Sequence, residues 1–120
     1  MPKLTAKQMS IEHEEFIAKM LIGKRERASG ASITAPGDVI TPDFLIECKV
    51  SESGSVTINA KQWRKIREEA ATRGRRPMAA LRLRDPYNPD KTVDVIVKML
   101  DDEVEDQWQL TLANWSSPSA

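Results

Sequence analysis

The residues that most invite a chemical reading lie in the segment Asp38-Val-Ile-Thr-Pro-Asp-Phe-Leu-Ile-Glu-Cys-Lys-Val50. Two β-rich runs flank the turn signal Thr41-Pro42-Asp43, which predicts a hairpin. With Pro42 and Asp43 as its central turn residues, Thr41 faces Phe44 and Asp38 faces Glu47. Side chains alternate along a strand, so Lys49 shares a face with Glu47 while Ile46, Cys48 and Val50 take the other. Two adjacent carboxylates repel unless a cation or a shared proton compensates, and a hard divalent cation is the natural partner. Mg²⁺ prefers oxygen ligands and keeps several waters, so two carboxylates and a backbone carbonyl leave positions for a phosphate and an attacking water. Lys49 could orient or deprotonate that water, or neutralise charge building on the phosphorus centre. The bland alternative is an exposed hairpin whose Glu47 and Lys49 form surface pairs worth at most about 1 kcal/mol.

These groups need elements to hold them. At the N-terminus two helix starts compete: Thr5 with Gln8 fits a capping box, and Ser10 could cap a shorter helix. Phe16, Ile17, Met20 and Leu21 form an apolar stripe, and Gly23 is placed to take the left-handed conformation that ends the helix near Ile22. Residues 24 to 37 read as a short strand followed by a loop. After a polar loop over 51 to 55, residues 56 to 58 suit one more strand. Asn59 caps a helix from Ala60 to about Arg73, ended by Gly74, with Trp63, Ile66 and Ala70 as its buried face. Residues 78 to 83 and 92 to 100 read as strands joined by a turn over 85 to 90, and the acidic run from Asp101 to Asp106 begins a short helix or loop. The element order is α-β-β-β-α-β-β in one domain, residues 1 to 120, with flexible ends at 1 to 9 and 116 to 120.

Composition narrows the function classes. The 120 residues carry 18 Lys plus Arg and 18 Asp plus Glu, but the charge is segregated: residues 61 to 84 hold a net +7 and residues 85 to 120 a net −6. The basic block, Lys61, Arg64, Lys65, Arg67, Arg73, Arg75 and Arg76, suits phosphate contact or a solvated helix face. One cysteine, Cys48, excludes an intrachain disulfide and a cysteine zinc cage. No run is long and apolar enough to span a bilayer and no secretory signal opens the chain, so a cytoplasmic protein without membrane contact is expected. There is no Gly-rich phosphate loop, hence no nucleotide cofactor, and no nucleophile elbow. His13 has no second histidine to work with and reads as a helix-surface residue. Cys48 reads as buried and inert. Trp108 and Trp115 read as covering a core edge, with a dimer contact as the alternative.

An acid-x-Lys tripeptide by itself is weak, since roughly one match arises by chance at this composition. Its context is more specific. The chain resembles the PD-(D/E)xK nucleases, and within them the archaeal-type Holliday-junction resolvases and small phage endonucleases. The resemblance rests on Glu14-Glu-Phe-Ile-Ala-Lys-Met-Leu21, Gly23, Arg27-Ala-Ser29-Gly30, Gly37-Asp38-Val39, Leu45-Ile-Glu47-Cys-Lys49, Gln62 before Trp63, and the stretch from Gly74 to Leu83, in family order over about residues 10 to 84. It implies a restriction-endonuclease-like αβββαβ core, an α/β fold whose mixed central sheet is flanked by helices. It further implies that Asp38, Glu47 and the Cys48 carbonyl hold Mg²⁺, for which Mn²⁺ would substitute, and that Lys49 assists the water. Glu14 would be a further ligand or base, with Glu12 and Glu15 as alternatives. Gln62 would orient a water or phosphate, and Ser29, Arg27, Lys61, Arg64 and Lys65 would contact DNA. A literal Pro-Asp occurs at Pro42-Asp43, but three residues between Asp43 and Glu47 are too few to bring both to one site on neighbouring strands, so Asp43 belongs to the turn.

The function expected from this resemblance is Mg²⁺-dependent hydrolysis of DNA phosphodiesters, on a four-way junction, in a bacterial, archaeal or phage-infected cell. A junction presents two equivalent strands, which suits a two-fold homodimer. The alternatives are a nuclease of repair, recombination or restriction acting on another DNA structure, and a non-catalytic DNA-binding protein of the same fold.

Overall fold

The computed structural model describes residues 5–26 and 38–114. Helix α1 (Ala6–Met20) starts at the first of the two competing caps. Thr5 Oγ1 accepts from Gln8 N at 3.1 Å and Gln8 Oε1 accepts from Thr5 N at 2.9 Å, so both halves of the capping box are present. Residues 6–9, expected to be flexible, are therefore helical, and Met9 is buried. The inward stripe also differs from the expected one. Met9, His13 and Ile17, four residues apart, face the sheet with Glu14, whereas Phe16 and Met20 are exposed.

At the end of α1 it is Ile22, with φ 54°, that adopts the left-handed conformation assigned above to Gly23. Gly23 serves a different purpose. A Cβ there would lie 2.8 Å from both the Ile40 carbonyl oxygen and Val39 Cγ1, so the missing side chain is what lets the chain pass against the neighbouring strand.

Five strands follow in one sheet: β1 (Lys24–Glu26), β2 (Asp38–Ile40), β3 (Phe44–Ser51), β4 (Arg76–Arg84) and β5 (Thr92–Lys98), in spatial order β1-β2-β3-β4-β5. All neighbours are antiparallel except β3 and β4, which run parallel across helix α2 (Ala60–Thr72). The molecule is thus α/β, with a mixed sheet flanked by helices. Helix α2 has the expected cap: Asn59 Oδ1 accepts from Gln62 N at 2.9 Å, and Gln62 Oε1 accepts from Asn59 N at 3.0 Å. It ends before Gly74, whose φ of 66° suits a residue without Cβ. Residues 56–58 are not a strand; Val56 and Ile58 instead pack beside Trp63 on the core under α2. Pro77 sits inside β4 one residue before the pairing with β5 begins at Met78.

Strand alternation divides the core. Val39, Ile46, Cys48, Met78 and Ala80 pack with Ile17 under α1, while Ala79 and Leu81 pack with Ile66 under α2. The acidic run after β5 opens a full helix, α3 (Leu100–Asn114), longer than the short element expected, and none of its residues is buried. Trp108, expected to cover a core edge, is 58% exposed.

Candidate functional site

The hairpin places the two central acids as the turn chemistry requires. Asp38 is the cross-strand partner of Glu47, Val39 of Ile46 and Ile40 of Leu45. The turn is held by Thr41, whose N–H donates to the Phe44 carbonyl at 2.9 Å while its Oγ1 accepts from Phe44 N at 2.9 Å. Asp43 lies exposed in that turn, its carbonyl accepting from Arg76 N at 2.8 Å, well apart in role from the acid pair. Lys49, two residues beyond Glu47 on the same face, is half-buried beside Leu81 and forms no ion pair among the described residues.

A third acid joins this row, and the sequence reading did not include it. Glu26 on β1 is the cross-strand partner of Asp38, so Glu26, Asp38 and Glu47 stand side by side across three neighbouring strands. Directly opposite residues on such strands have Cβ atoms about 5 Å apart. Arg73, the C-cap residue of α2, takes up the Glu26 carboxylate through both terminal nitrogens, the Nη2 to Oε1 distance being 2.7 Å. This holds the Glu26 carboxyl below the usual range. The Asp38 carboxyl moves the other way, up to about 6, first because it is buried and then because Glu47 and Glu69 add negative charge; Arg73 opposes this only in part. A carboxylate held against burial and a like-charged neighbour is a group with unmet demand for a cation. Pairing Lys24 with Ile40 is what brings Glu26 level with Asp38, and the three-residue strand Lys-Arg-Glu carries no hydrophobic signal from which that register could have been read.

Glu14 is placed differently from its assignment. It is buried under the sheet, with Oε1 3.6 Å from Arg25 Nε, and its charge helps burial push the Cys48 thiol up to about 12. Cys48 and Glu47 point to opposite faces, so Glu14 belongs to the α1 side while Asp38, Glu47 and Lys49 belong to the α2 side. Of its alternatives, Glu15 also meets Arg25, at 3.4 Å, and Glu12 is exposed. The inert, buried thiol expected at Cys48 is what the core contains. The described part of β2 ends opposite Glu47, one residue short of Cys48.

Gln62 is exposed at the start of α2, its amide oxygen engaged in the capping box. Lys61, Arg64, Lys65 and Arg67 are exposed along the outer face of the same helix, with Arg64 donating to Glu68 at 3.1 Å. Of the remainder of the basic block, Arg73 is paired with Glu26 and Arg76 lies 3.1 Å from Asp106, while Arg75 donates to the Thr41 carbonyl and keeps its charge without an ion pair among the described residues. Arg27, Ser29 and Trp115 lie outside the described residues.

His13 is a correction. It is fully buried, with neither ring nitrogen hydrogen-bonded, and Nε2 is 3.6 Å from Asp94 Oδ1, which itself accepts from Arg82. Burial, reinforced by the Arg82 charge, lowers its pKa to about 4. The ring is a neutral core residue.

Among the described residues no three His, Cys, Asp or Glu side chains converge into a ready metal cage. The Asp38–Glu47 pair supplies two oxygen donors of the type a hard cation takes, and its electrostatics fit that role. No described helix is long and apolar enough to cross a membrane. No family model matches the chain, and no curated protein sequence matches it significantly.

Proposed function

We propose that this protein is a metal-dependent endonuclease that hydrolyses DNA phosphodiesters, with four-way junctions as the substrate and the PD-(D/E)xK nucleases as its class. The observation that carries the reading is the register of the hairpin: Asp38 directly opposite Glu47, with the Asp38 carboxyl raised to about 6 and Lys49 two residues along the same face. Asp38 and Glu47 would hold Mg²⁺ or Mn²⁺, and the Cys48 carbonyl follows Glu47 in the chain as a third oxygen. Bound there, the ion supplies charge neutralisation at a phosphate and a water acidified toward neutral pH. Lys49, free of any ion pair among the described residues, offers its ammonium to the charge that develops on the phosphoryl oxygens. Arg73 removes Glu26 from direct competition for the cation by pairing with it, leaving a two-carboxylate site. Lys61, Arg64 and Lys65 on the open face of α2 are suited to the DNA backbone, where each neutralised phosphate releases counterions.

The test is cleavage of a synthetic four-way junction beside linear duplex, single-stranded and flap DNA of matched sequence, with Mg²⁺ and with EDTA. Paired nicks on the junction that require the metal and vanish in Lys49→Ala are the expected result. Cutting of another substrate with the same requirements would keep the site and change the biology. Folded protein that binds these DNAs and cuts none of them would replace the nuclease with a binding protein.

A further inference from the structure

Helix α3 is oriented opposite to what an amphipathic helix ordinarily does. Its acidic side faces the body: Lys98 Nζ is 2.7 Å from Glu103 and 2.9 Å from Asp106, and Arg76 reaches Asp102 at 3.5 Å and Asp106 at 3.1 Å. Its apolar side faces away. Leu100, Val104, Trp108 and Leu112 recur every four residues, so they form one stripe on the helix surface, and they are 76%, 60%, 58% and 51% exposed. At the base of that stripe, Leu100 forms one wall of an open cleft of about 580 Å³ whose other walls include Val56, Ile58, Trp63, Leu81 and Val97. Among the described residues nothing covers either feature.

We infer that this surface is occupied by a second copy of the same chain, with two α3 helices packed antiparallel about a two-fold axis at Val104. Three observations select that occupant. Helix α3 has five acidic residues, no lysine and no arginine, which disfavours anionic lipid and nucleic acid alike. The geometry is self-complementary: with Val104 on the axis, Trp108 of one chain falls opposite Leu100 of the other, at the mouth of a cleft with room for an indole. Large apolar side chains of this kind offer on the order of 100 Å² each, so the four of α3 with Val93 and Val95, exposed on the cleft side of the edge strand β5, offer roughly 600 Å² per chain, the lower end of a standard interface. Three of the five acids, Asp102, Glu103 and Asp106, are already paired with Lys98 and Arg76, so only Asp101 and Glu105 bring unpaired charge, at the solvent-exposed rim of the stripe.

The inference stands on the α3 surface alone and survives failure of the nuclease reading. Sedimentation velocity at micromolar concentrations should show a species of twice the 13.5 kDa chain mass. It should persist in about 1 M salt, where charge attraction is screened within about 3 Å. Trp108→Glu with Leu112→Glu should yield monomer with an unchanged far-ultraviolet circular dichroism spectrum, since both side chains are exposed and their loss leaves the core intact. Val104→Cys should give a disulfide-linked dimer under mild oxidation and Gln109→Cys, on another side of the helix, should not; Cys48 is buried and does not compete. A wild-type monomer, a dimer dissolved by salt, or a dimer indifferent to the Trp108 and Leu112 changes would each overturn the proposal.

Discussion

Two titrating residues pull stability in opposite directions. Asp38 has a folded pKa near 6, above its ordinary 3.8, so its contribution is fully present below about 4 and is lost as pH rises through 6. His13 has a folded pKa near 4, below its ordinary 6.5, so the unfolded chain binds the extra proton and stability is lost as pH falls from 6.5 toward 4. Each shift corresponds to at most about 3 kcal/mol, and in metal-free protein the two nearly cancel across the same window. Urea denaturation between pH 4 and 7 should therefore be nearly flat for these groups in the wild type. Asp38→Asn should unmask a rise in stability with pH, and His13→Leu a fall. Parallel profiles for the two variants would show that one of these environments has been misassigned. Asp38→Asn should also raise the melting temperature of metal-free protein at pH 8 while removing metal-dependent cleavage, because the like-charged pair that makes the site is a cost to the fold.

At the scale of elements, the exit of α1 and the cap of α2 make separable predictions. Ile22 is 86% exposed and β-branched in the left-handed region, a conformation costing about 1–2 kcal/mol. Ile22→Gly should raise stability by about 1 kcal/mol in thermal or chemical melts, less the entropy glycine adds to the unfolded chain. Moving that freedom one residue on does not substitute for it, because Gly23 is needed for its missing Cβ against Val39 and Ile40. For α2, the Gln62 amide oxygen is committed to the Asn59 N–H. Gln62→Ala should cost about 0.5–1 kcal/mol of stability and, if capping is its whole role, leave the cleavage rate per folded molecule unchanged. A large rate loss without a stability loss would return Gln62 to the catalytic set.

At the scale of the molecule, a formally neutral chain separates its charges by folding. Arg73 and Arg76 are consumed by Glu26, Asp102 and Asp106, while Lys61, Arg64, Lys65 and Arg67 gather an accessible cationic surface on the outer face of α2. Neutralising Arg64 and Lys65 together should weaken DNA binding similarly on every sequence tested and reduce the slope of log affinity against log salt by about one for each. Affinity and slope unchanged in fluorescence anisotropy titrations would move the phosphate-contacting surface elsewhere. Removing Arg76 should act differently, by loosening α3 from the body.

The features legible along the chain were those set within a few residues of one another. The Thr-Pro-Asp turn and period-two alternation sufficed to pair Asp38 with Glu47 and to put Lys49 on their face, because a short hairpin leaves its register no freedom. The Asn59 cap of α2 and the Gly74 stop are equally local, whereas the Thr5 box of α1 was one of two starts that the sequence left open. Tertiary structure decided the rest, because it depends on which distant groups share a face. Glu14 satisfied the local rule of facing the sheet, yet only the assembled layers show that α1 covers the face opposite the acid pair. Glu26 entered the row only through the pairing of β1 with β2 across eleven intervening residues. His13 became a core residue because Arg82 and Asp94, some seventy to eighty positions away, close over it. Helix α3 turned its acids inward because Lys98 and Arg76 were there to receive them, and no pattern within the helix distinguishes that arrangement from the ordinary one.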